Sequence, residues 1–210
     1  MKKIFVFAAA AAFALCACEK NNGPQVDGSG NGDNNEGDGT PKVETVVFNE
    51  LCGNRVEYSG FESANKFIEL YNASAAEANL EGWTIRKYAP DAETVAGEYD
   101  VVWTGPAGKK LAKAAYLVLE ADTADPEKGF DAGLSAKKGL KFELVDASGK
   151  VVDKFVRGED TTPFVEIPLE GTKEHKTESF SRVNFTTEWA YALPTPGAAN
   201  GEATGEIEME

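Results

Sequence analysis

The sequence predicts an all-β sandwich, and three observations favour this fold class. Apolar runs of strand length, rich in Phe, Tyr, Ile and Val, recur along the middle of the 210-residue chain. These residue types suit a pleated, half-buried surface. Clusters of Gly, Pro, Asn and Asp separate the runs and supply turns, and no stretch gives a convincing helix. Many short strands with frequent turns are typical of two β-sheets packed face to face.

The N-terminal residues predict export and lipid attachment. Two lysines precede an apolar, Ala-rich stretch that is too short to span a bilayer as a mature helix. The stretch ends in Leu15-Cys16-Ala17-Cys18, which resembles a bacterial lipobox and implies cleavage before Cys18. We therefore predict a signal peptide over residues 1–17 and acyl chains on Cys18, because multiple acylation anchors a chain stably to a membrane. The alternative is an ordinary signal peptide with incidental cysteines.

A flexible, disordered linker is predicted over residues 18–42. Between residues 19 and 40 the chain is rich in Gly, Asn and Asp and contains no aromatic residue. Such a segment cannot bury enough apolar surface to fold, so it should act as a tether. Asp27, Asn31 and Asp33 fall near the spacing of an EF-hand calcium loop, but the flanking helices are missing. We therefore expect no metal site in the linker.

The folded domain is predicted over residues 43–201, and a short, frayed acidic tail over residues 202–210. The continuous apolar run at 115–119 indicates a central strand. The alternation at 140–146 indicates a strand with one wet face, which a turn at 147–149 joins to the next strand as a hairpin. In order, strands are expected at residues 43–51, 66–72, 83–88, 99–104, 115–119, 140–146, 151–156 and 179–183, the last of these being the final clear strand.

Two insertions and three tryptophans are candidate binding surfaces. The insertions cover residues 53–65 and 158–178, and long loops on a rigid β scaffold often carry binding sites. Trp83, Trp103 and Trp189 could line a sugar-binding face, although large aromatic side chains are more often buried. Trp83 is expected in the core, and the glycine before it suggests that something packs closely against the backbone there.

Charge and cysteine content limit the functional classes. The formal charge is −14 and becomes more negative when the signal peptide, with its two lysines, is removed. A strongly acidic chain is unsuited to nucleic acid or to anionic membranes, so no nucleic-acid partner is expected. Cys52 is the only other cysteine of the mature chain, which excludes an intramolecular disulfide and favours a small buried hydrophobe. The only histidine, His175, is expected to be solvated, and one histidine is too few for a zinc site.

Two acidic residues interrupt the predicted strands. Glu50 lies in the first strand and Glu69 in the second, so adjacent strands could bring them together as an acid pair for hydrolysis or as a cation site. The other interpretation is that each carboxylate binds backbone donors or Arg182 and serves the structure. We favour this structural role and keep a hydrolase or cation-binding domain as the alternative function. No other catalytic residue, no cofactor and no metal ligand is predicted.

Six short motifs in a fixed order carry a family resemblance. They are Asn-Glu-Leu at 49–51, Phe-Ile-Glu-Leu-Tyr-Asn at 67–72, Leu-Glu-Gly-Trp at 80–83, Gly-Leu-Ser at 133–135, Ser-Arg at 181–182 and Pro-Thr-Pro-Gly-Ala-Ala-Asn at 194–200. Together they resemble a bacterial lamin tail domain over about residues 43–200. The resemblance implies an immunoglobulin-like β-sandwich, and the tethered lipoprotein N-terminus is similar to those of Bacteroides-like bacteria. Bacterial members are often non-catalytic modules attached to secreted hydrolases, so the resemblance implies no enzymatic activity of the domain itself.

These features predict a non-catalytic, lipid-anchored module of the cell envelope, at the outer membrane or cell surface, that binds an envelope protein or glycan. The resemblance also implies O-glycosylation. Asp122-Thr123-Ala124 and Asp160-Thr161-Thr162 resemble the sequon that Bacteroides-type bacteria modify, so sugar is expected on Thr123 and Thr161. The alternative is that Asp122 and Asp160 are turn formers whose carboxylates bind the backbone two residues on.

Replacing Cys18→Ala should release the protein from the membrane fraction, because it removes the sulfur that carries the acyl chains. Metabolic labelling with a lipid precursor should fall to background in the variant. Unchanged labelling would contradict the assignment of Cys18, and Cys16→Ala is the matched control that should leave labelling intact.

Overall fold

The described part of the chain is built entirely from β-strands. The computed structural model describes residues 43–88, 99–125, 127–130, 133–134, 139–161, 164 and 175–207, which all fall within the unit Gly37–Glu210. The signal peptide, Cys18 and the linker lie outside these residues. Within them there is no helix of the length and apolarity needed to cross a membrane. The strands are β1 (Val46–Val56), β2 (Asn65–Asn72), β3 (Ala78–Asn79), β4 (Thr84–Lys87), β5 (Asp100–Thr104), β6 (Lys110–Leu111), β7 (Tyr116–Ala121), β8 (Gly129–Phe130), β9 (Leu140–Val145), β10 (Val151–Arg157), β11 (Ser179–Arg182), β12 (Trp189–Ala192) and β13 (Gly205–Glu206).

Two sheets enclose one core, which confirms the predicted fold class. A seven-stranded sheet has the order β13-β12-β11-β1-β2-β7-β8, and a four-stranded sheet has the order β10-β9-β4-β5. All pairs are antiparallel except β7 and β8. Side chains from both sheets meet in the core, where the rings of Phe48 and Phe142 make an edge contact with centroids 6.5 Å apart. The remaining pair, β3 and β6, forms a separate short ribbon.

The first hairpin is longer than the sequence predicted. β1 continues to Val56, and β2 already begins at Asn65, so the expected insertion at 53–65 is reduced to a connection over residues 57–64. The extension was missed because Gly53, Asn54 and Arg55 interrupt its apolar residues. β1 also carries two irregularities against β2, and the first of them leaves Asn49 outside the ladder as a bulge.

Two strands have a different environment from the one predicted. β7 is not central, because only the two-residue β8 lies beyond it, and its first three residues are half-buried. β9 does not have one wet face, because Lys141 is only 4% exposed. The Lys141 ammonium binds Asp160 at 2.7 Å and lies 4.7 Å from the centroid of the Tyr88 ring. Long side chains therefore cover the polar face of β9 by lying along it.

The C-terminal region contributes more strands than expected. The strand at 179–183 is not the last, because β12 pairs with β11 and β13 pairs with β12. The expected frayed tail thus supplies a strand to the seven-stranded sheet, and Ile207 joins the core. A two-residue strand is too short to show an alternating pattern, so no local signal marks β13 in the sequence.

The tryptophans differ in burial. Trp103 is 3% exposed and belongs to the core, whereas Trp83 is half-buried and packs against the edge of the core. The expectation that Trp83 is a core residue is therefore only partly right. Gly82 has a φ of +73°, and a Cβ there would meet only the Ala147 Cβ at an ordinary 3.6 Å. Gly82 is needed for its left-handed backbone rather than for close packing.

Replacing Trp103→Ala should cost about 3–5 kcal/mol of the free energy of unfolding, as for other fully buried aromatic side chains. Trp83→Ala should cost clearly less, because part of its ring already contacts water. Urea denaturation of both variants measures the difference. Equal losses would contradict the burial described for the two side chains.

Candidate functional site

A buried polar network surrounds the bulge in β1. The Asn49 side-chain amide donates to the Glu69 carboxylate at 2.7 Å and to the Asn200 side-chain oxygen at 3.0 Å. Asn200 in turn donates to the Asn49 carbonyl at 3.0 Å and to the Arg182 carbonyl at 2.9 Å. Asn200 therefore ties the segment that follows β12 to both β1 and β11.

The two glutamates lie side by side beneath that same segment, which spans residues 193–200 and is called the closing segment below. Glu50 and Glu69 are directly opposite each other in the β1–β2 ladder, and neither is exposed. Glu50 accepts from the Thr195 amide at 3.1 Å and from the Ser179 hydroxyl at 2.5 Å. Glu69 accepts from the Gly197 amide at 2.5 Å. Both carboxylates thus hold the backbone of the closing segment in place.

Burial has the largest effect on the pKa values of Glu50 and Glu69. It raises the pKa of Glu50 to about 7 and the pKa of Glu69 to about 8, although hydrogen bonds from Ser179, Thr195, Asn49 and Gly197 oppose the shift. These donors are neutral hydroxyls and amides, so they compensate only part of the desolvation of the charged form.

Arg182 serves a different carboxylate from those the sequence suggested. Its guanidinium binds Asp153 of β10 at 2.6 Å and donates to the Phe48 carbonyl at 2.6 Å. Asp153 also accepts from the Phe48 amide at 2.8 Å. Because β10 belongs to the four-stranded sheet and the other two residues to the seven-stranded sheet, this ion pair joins the sheets beside the bulge. Of the two structural alternatives, Glu50 and Glu69 therefore bind backbone donors and not Arg182.

Gly197 is restricted by steric contacts as well as by its hydrogen bond. Its φ is +80°, and a Cβ at this position would overlap the Tyr58 hydroxyl. Tyr58 belongs to the connection between β1 and β2, so this contact places that connection against the closing segment. A side chain on residue 197 would separate them.

The other reactive side chains considered from the sequence are also engaged. Cys52 is fully buried, and burial raises the pKa of its thiol to about 12, which confirms its role as a small core side chain. His175 is half-buried rather than solvated, because its ring stacks on Tyr191 with centroids 3.9 Å apart and it binds Glu178. Across the described ranges, no three His, Cys, Asp or Glu side chains are grouped to hold a metal ion.

The three tryptophans do not form one sugar-binding face. Trp103 is buried in β5 of the four-stranded sheet, whereas Trp189 lies in β12 of the seven-stranded sheet. The Arg182 guanidinium covers one face of the Trp189 ring at 4.6 Å. The expectation of a shared platform is therefore wrong, because the strands that carry these rings belong to different sheets.

A groove that the sequence did not suggest crosses the outer face of β7. It has a volume of about 320 Å³ and is referred to below as the β7 groove. No sequence motif marks the groove, because its aromatic residues come from two separate places, a turn and the start of a strand. The residues that give it its chemistry are Tyr58, Phe61, Lys109, Tyr116, Glu120 and Lys128.

The two threonines expected to carry sugar differ in accessibility. Thr161 is exposed, whereas Thr123 is half-buried and its hydroxyl accepts from the Asp125 amide at 3.3 Å. Asp122 makes no hydrogen bond to the backbone of residue 124, and for Asp160 the residue two positions on, 162, lies outside the described residues. Asp122 pairs with Arg55 at 3.2 Å, and Asp160 pairs with two lysines.

Residues 40–159 match the family model of the Lamin Tail Domain. The chain belongs to the lamin tail domain family. This confirms the resemblance seen in the motifs and the immunoglobulin-like sandwich that it implied. The matched range ends before β11, although β11 pairs with β1 and completes the lamin tail domain sheet in this chain. A comparison with curated protein sequences returned no match.

The stability of this lamin tail domain should decrease as pH rises from about 4.5 to about 8. The folded-state pKa values of Glu50 and Glu69 lie above the ordinary 4.5, so the folded protein binds more protons than the unfolded chain between these values. The stabilisation is complete below about pH 4.5 and is lost as pH rises through about 7 to 8. Each group contributes a slope of up to about 1.4 kcal/mol per pH unit.

Urea denaturation from about pH 5 to about pH 9 measures this slope. The double variant Glu50→Gln, Glu69→Gln should remove most of it, because the amides do not ionise. A wild-type profile that is flat, or that rises over this range, would contradict the assignment.

Proposed function

We propose that the protein is a non-catalytic module of the cell envelope that binds an envelope protein or glycan. A lipid on Cys18 anchors it, and residues 19–42 tether the domain at the outer membrane or cell surface. Membership of the lamin tail domain family, whose members are immunoglobulin-like modules, supports this role. The lipobox-like sequence and the Gly- and Asn-rich linker support the anchoring.

The observation that carries the proposal is the structural role of the Glu50 and Glu69 carboxylates. Glu50 and Glu69 are unexposed, and their oxygens accept hydrogen bonds from the closing segment and its neighbours. A general acid or base must reach the proton that it transfers, either directly or through one water molecule. Carboxylates that hold a backbone segment under a closed surface do not meet this condition. No observation favours the alternative of a hydrolase or cation-binding domain.

The acidity of the chain supports a partner other than nucleic acid. A charge of −14 repels a phosphate backbone, whose binding depends on Lys and Arg contacts.

We also propose that sugar is attached to Thr161 and Thr123. The exposure of Thr161 supports modification there.

Affinity capture from the native envelope tests the proposal. The full-length chain is used as bait, and the control bait carries only residues 1–42 fused to an unrelated soluble domain. We expect an envelope protein or glycan to be enriched on the full-length bait, because the folded domain supplies the binding surface. Equal capture by the full-length and control baits would overturn the proposal.

A further inference from the structure

We infer that the β7 groove binds sugar rings of a neutral glycan. This inference rests on the proposed function and names the ligand class and the surface for it. The groove lies on the face of the seven-stranded sheet that points away from the core. Its floor is Val118, which is directly opposite Glu69 in the β2–β7 ladder and is half-buried. The neighbouring residues of β7 on the other face, Leu119 and Ala121, belong to the core.

Aromatic rings supply the apolar surface of the groove. Tyr58 and Phe61 form one wall, where their rings meet edge to face with centroids 5.2 Å apart. Tyr116 lies at the start of β7, and its ring is 4.9 Å from that of Tyr71 on the neighbouring strand. All four rings are half-buried, so each offers part of its surface to solvent. Half-exposed tyrosines combine an apolar body with a polar tip, which suits the apolar C–H face and hydroxyl rim of a pyranose.

Charged side chains supply hydrogen-bonding groups of both kinds. Lys109 and Lys128 can donate from the opposite wall, and Glu120 at the floor can accept. Lys109 is also 3.7 Å from Glu127, so two lysines are balanced by two glutamates. In a chain of charge −14, this balance selects neither a cation nor an anion. Hydroxyl groups both donate and accept, and a neutral polyhydroxylated ligand is therefore complementary to the groove.

The walls of the groove are held by the buried network. Gly197 lines the groove beside Tyr58, and Glu69 fixes the Gly197 amide from below. Phe61 packs in turn against Phe67 of β2, with ring centroids 6.3 Å apart. The aromatic wall is thus supported by strands rather than by a free loop, and a rigid site loses little conformational entropy on binding.

Calorimetric titration of the full-length protein tests the inference. The probes are neutral hexasaccharides of β-linked glucose, mannose and N-acetylglucosamine, with a hexasaccharide of galacturonic acid as the charged comparison. We expect at least one neutral probe to bind, with an affinity that changes less than about twofold between low and high salt, because no net charge is neutralised. Tyr116→Ala and Lys128→Gln should each weaken that binding about tenfold.

Matched controls separate binding from folding. Tyr99→Ala removes an exposed tyrosine of the other sheet, and Lys176→Gln removes an exposed lysine outside the groove, so both should leave the affinity unchanged. Lys128 is exposed, and its replacement should not alter the melting temperature, which keeps the test informative if Tyr116→Ala unfolds.

Three outcomes overturn the inference. They are the absence of binding by every neutral probe, binding that survives both groove substitutions, and binding of the acidic probe alone with a steep salt dependence. The proposed function is tested by affinity capture and can fail independently of this inference. If affinity capture enriches an envelope partner while no neutral probe binds, the binding module stands and the groove is not its sugar site. If neither experiment gives a ligand, both proposals fall.

Discussion

The fold depends on the hydrogen bonds that the backbone makes at the bulge at Asn49. A bulge leaves backbone groups outside the ladder, and buried backbone groups need partners. In this protein the partners come from distant parts of the chain: Asp153 and Arg182 bind the backbone of Phe48, and Asn200 binds the carbonyl of Asn49. Strands of both sheets and the closing segment therefore meet at one irregular position of β1.

The buried polar groups at this position determine the register of β1 as well as the stability of the fold. A shift of one residue in β1 would move Glu50 from the outer face of the sheet into the apolar core. The carboxylate would then lose its donors from Ser179 and the Thr195 amide, and an unpaired buried charge is costly. Apolar side chains of similar volume could fill the core in several registers. The hydrogen bonds to the closing segment can be made in only one.

The sequence was informative where local pattern determines structure. Alternating and apolar runs located β2, β5, β9 and β10 to within a few residues, because each strand buries a recognisable face. β12 and β13 were missed because they are too short to show a clear alternating pattern. The motif at 194–200 was visible as part of the family resemblance, but its contact with Glu50 and Glu69 is a property of the tertiary fold. The preference for a structural role of these acids came from composition, while the donors themselves could only be seen in space.

The same distinction applies to the candidate binding surface. Tryptophan content suggested a sugar platform, but sequence cannot tell which sheet a strand joins, and Trp189 lies in a different sheet from Trp103. The β7 groove is assembled from residues that are 58 positions apart in sequence, Tyr58 and Tyr116, and that the β1–β2 connection and β7 bring to one face. Neither tyrosine stands in a recognisable motif. The insertion at 53–65, which carries Tyr58, was a candidate binding surface, but its partner strand β7 could not be identified until the order of the strands was known.

The position of β1 within its sheet has a mechanical consequence. The domain is entered from its N-terminal side at Val43, whose amide binds the Phe185 carbonyl at 2.9 Å, and β1 follows directly. β1 is flanked on both sides by antiparallel partners, β2 and β11, rather than lying at an edge. A pull on the N-terminal side along the strand direction would load these hydrogen bonds together in shear, whereas an edge strand could be peeled away one bond at a time. The strand nearest to the proposed lipid anchor is thus hydrogen-bonded on both sides, and a domain tethered at this end can carry tension without opening its core.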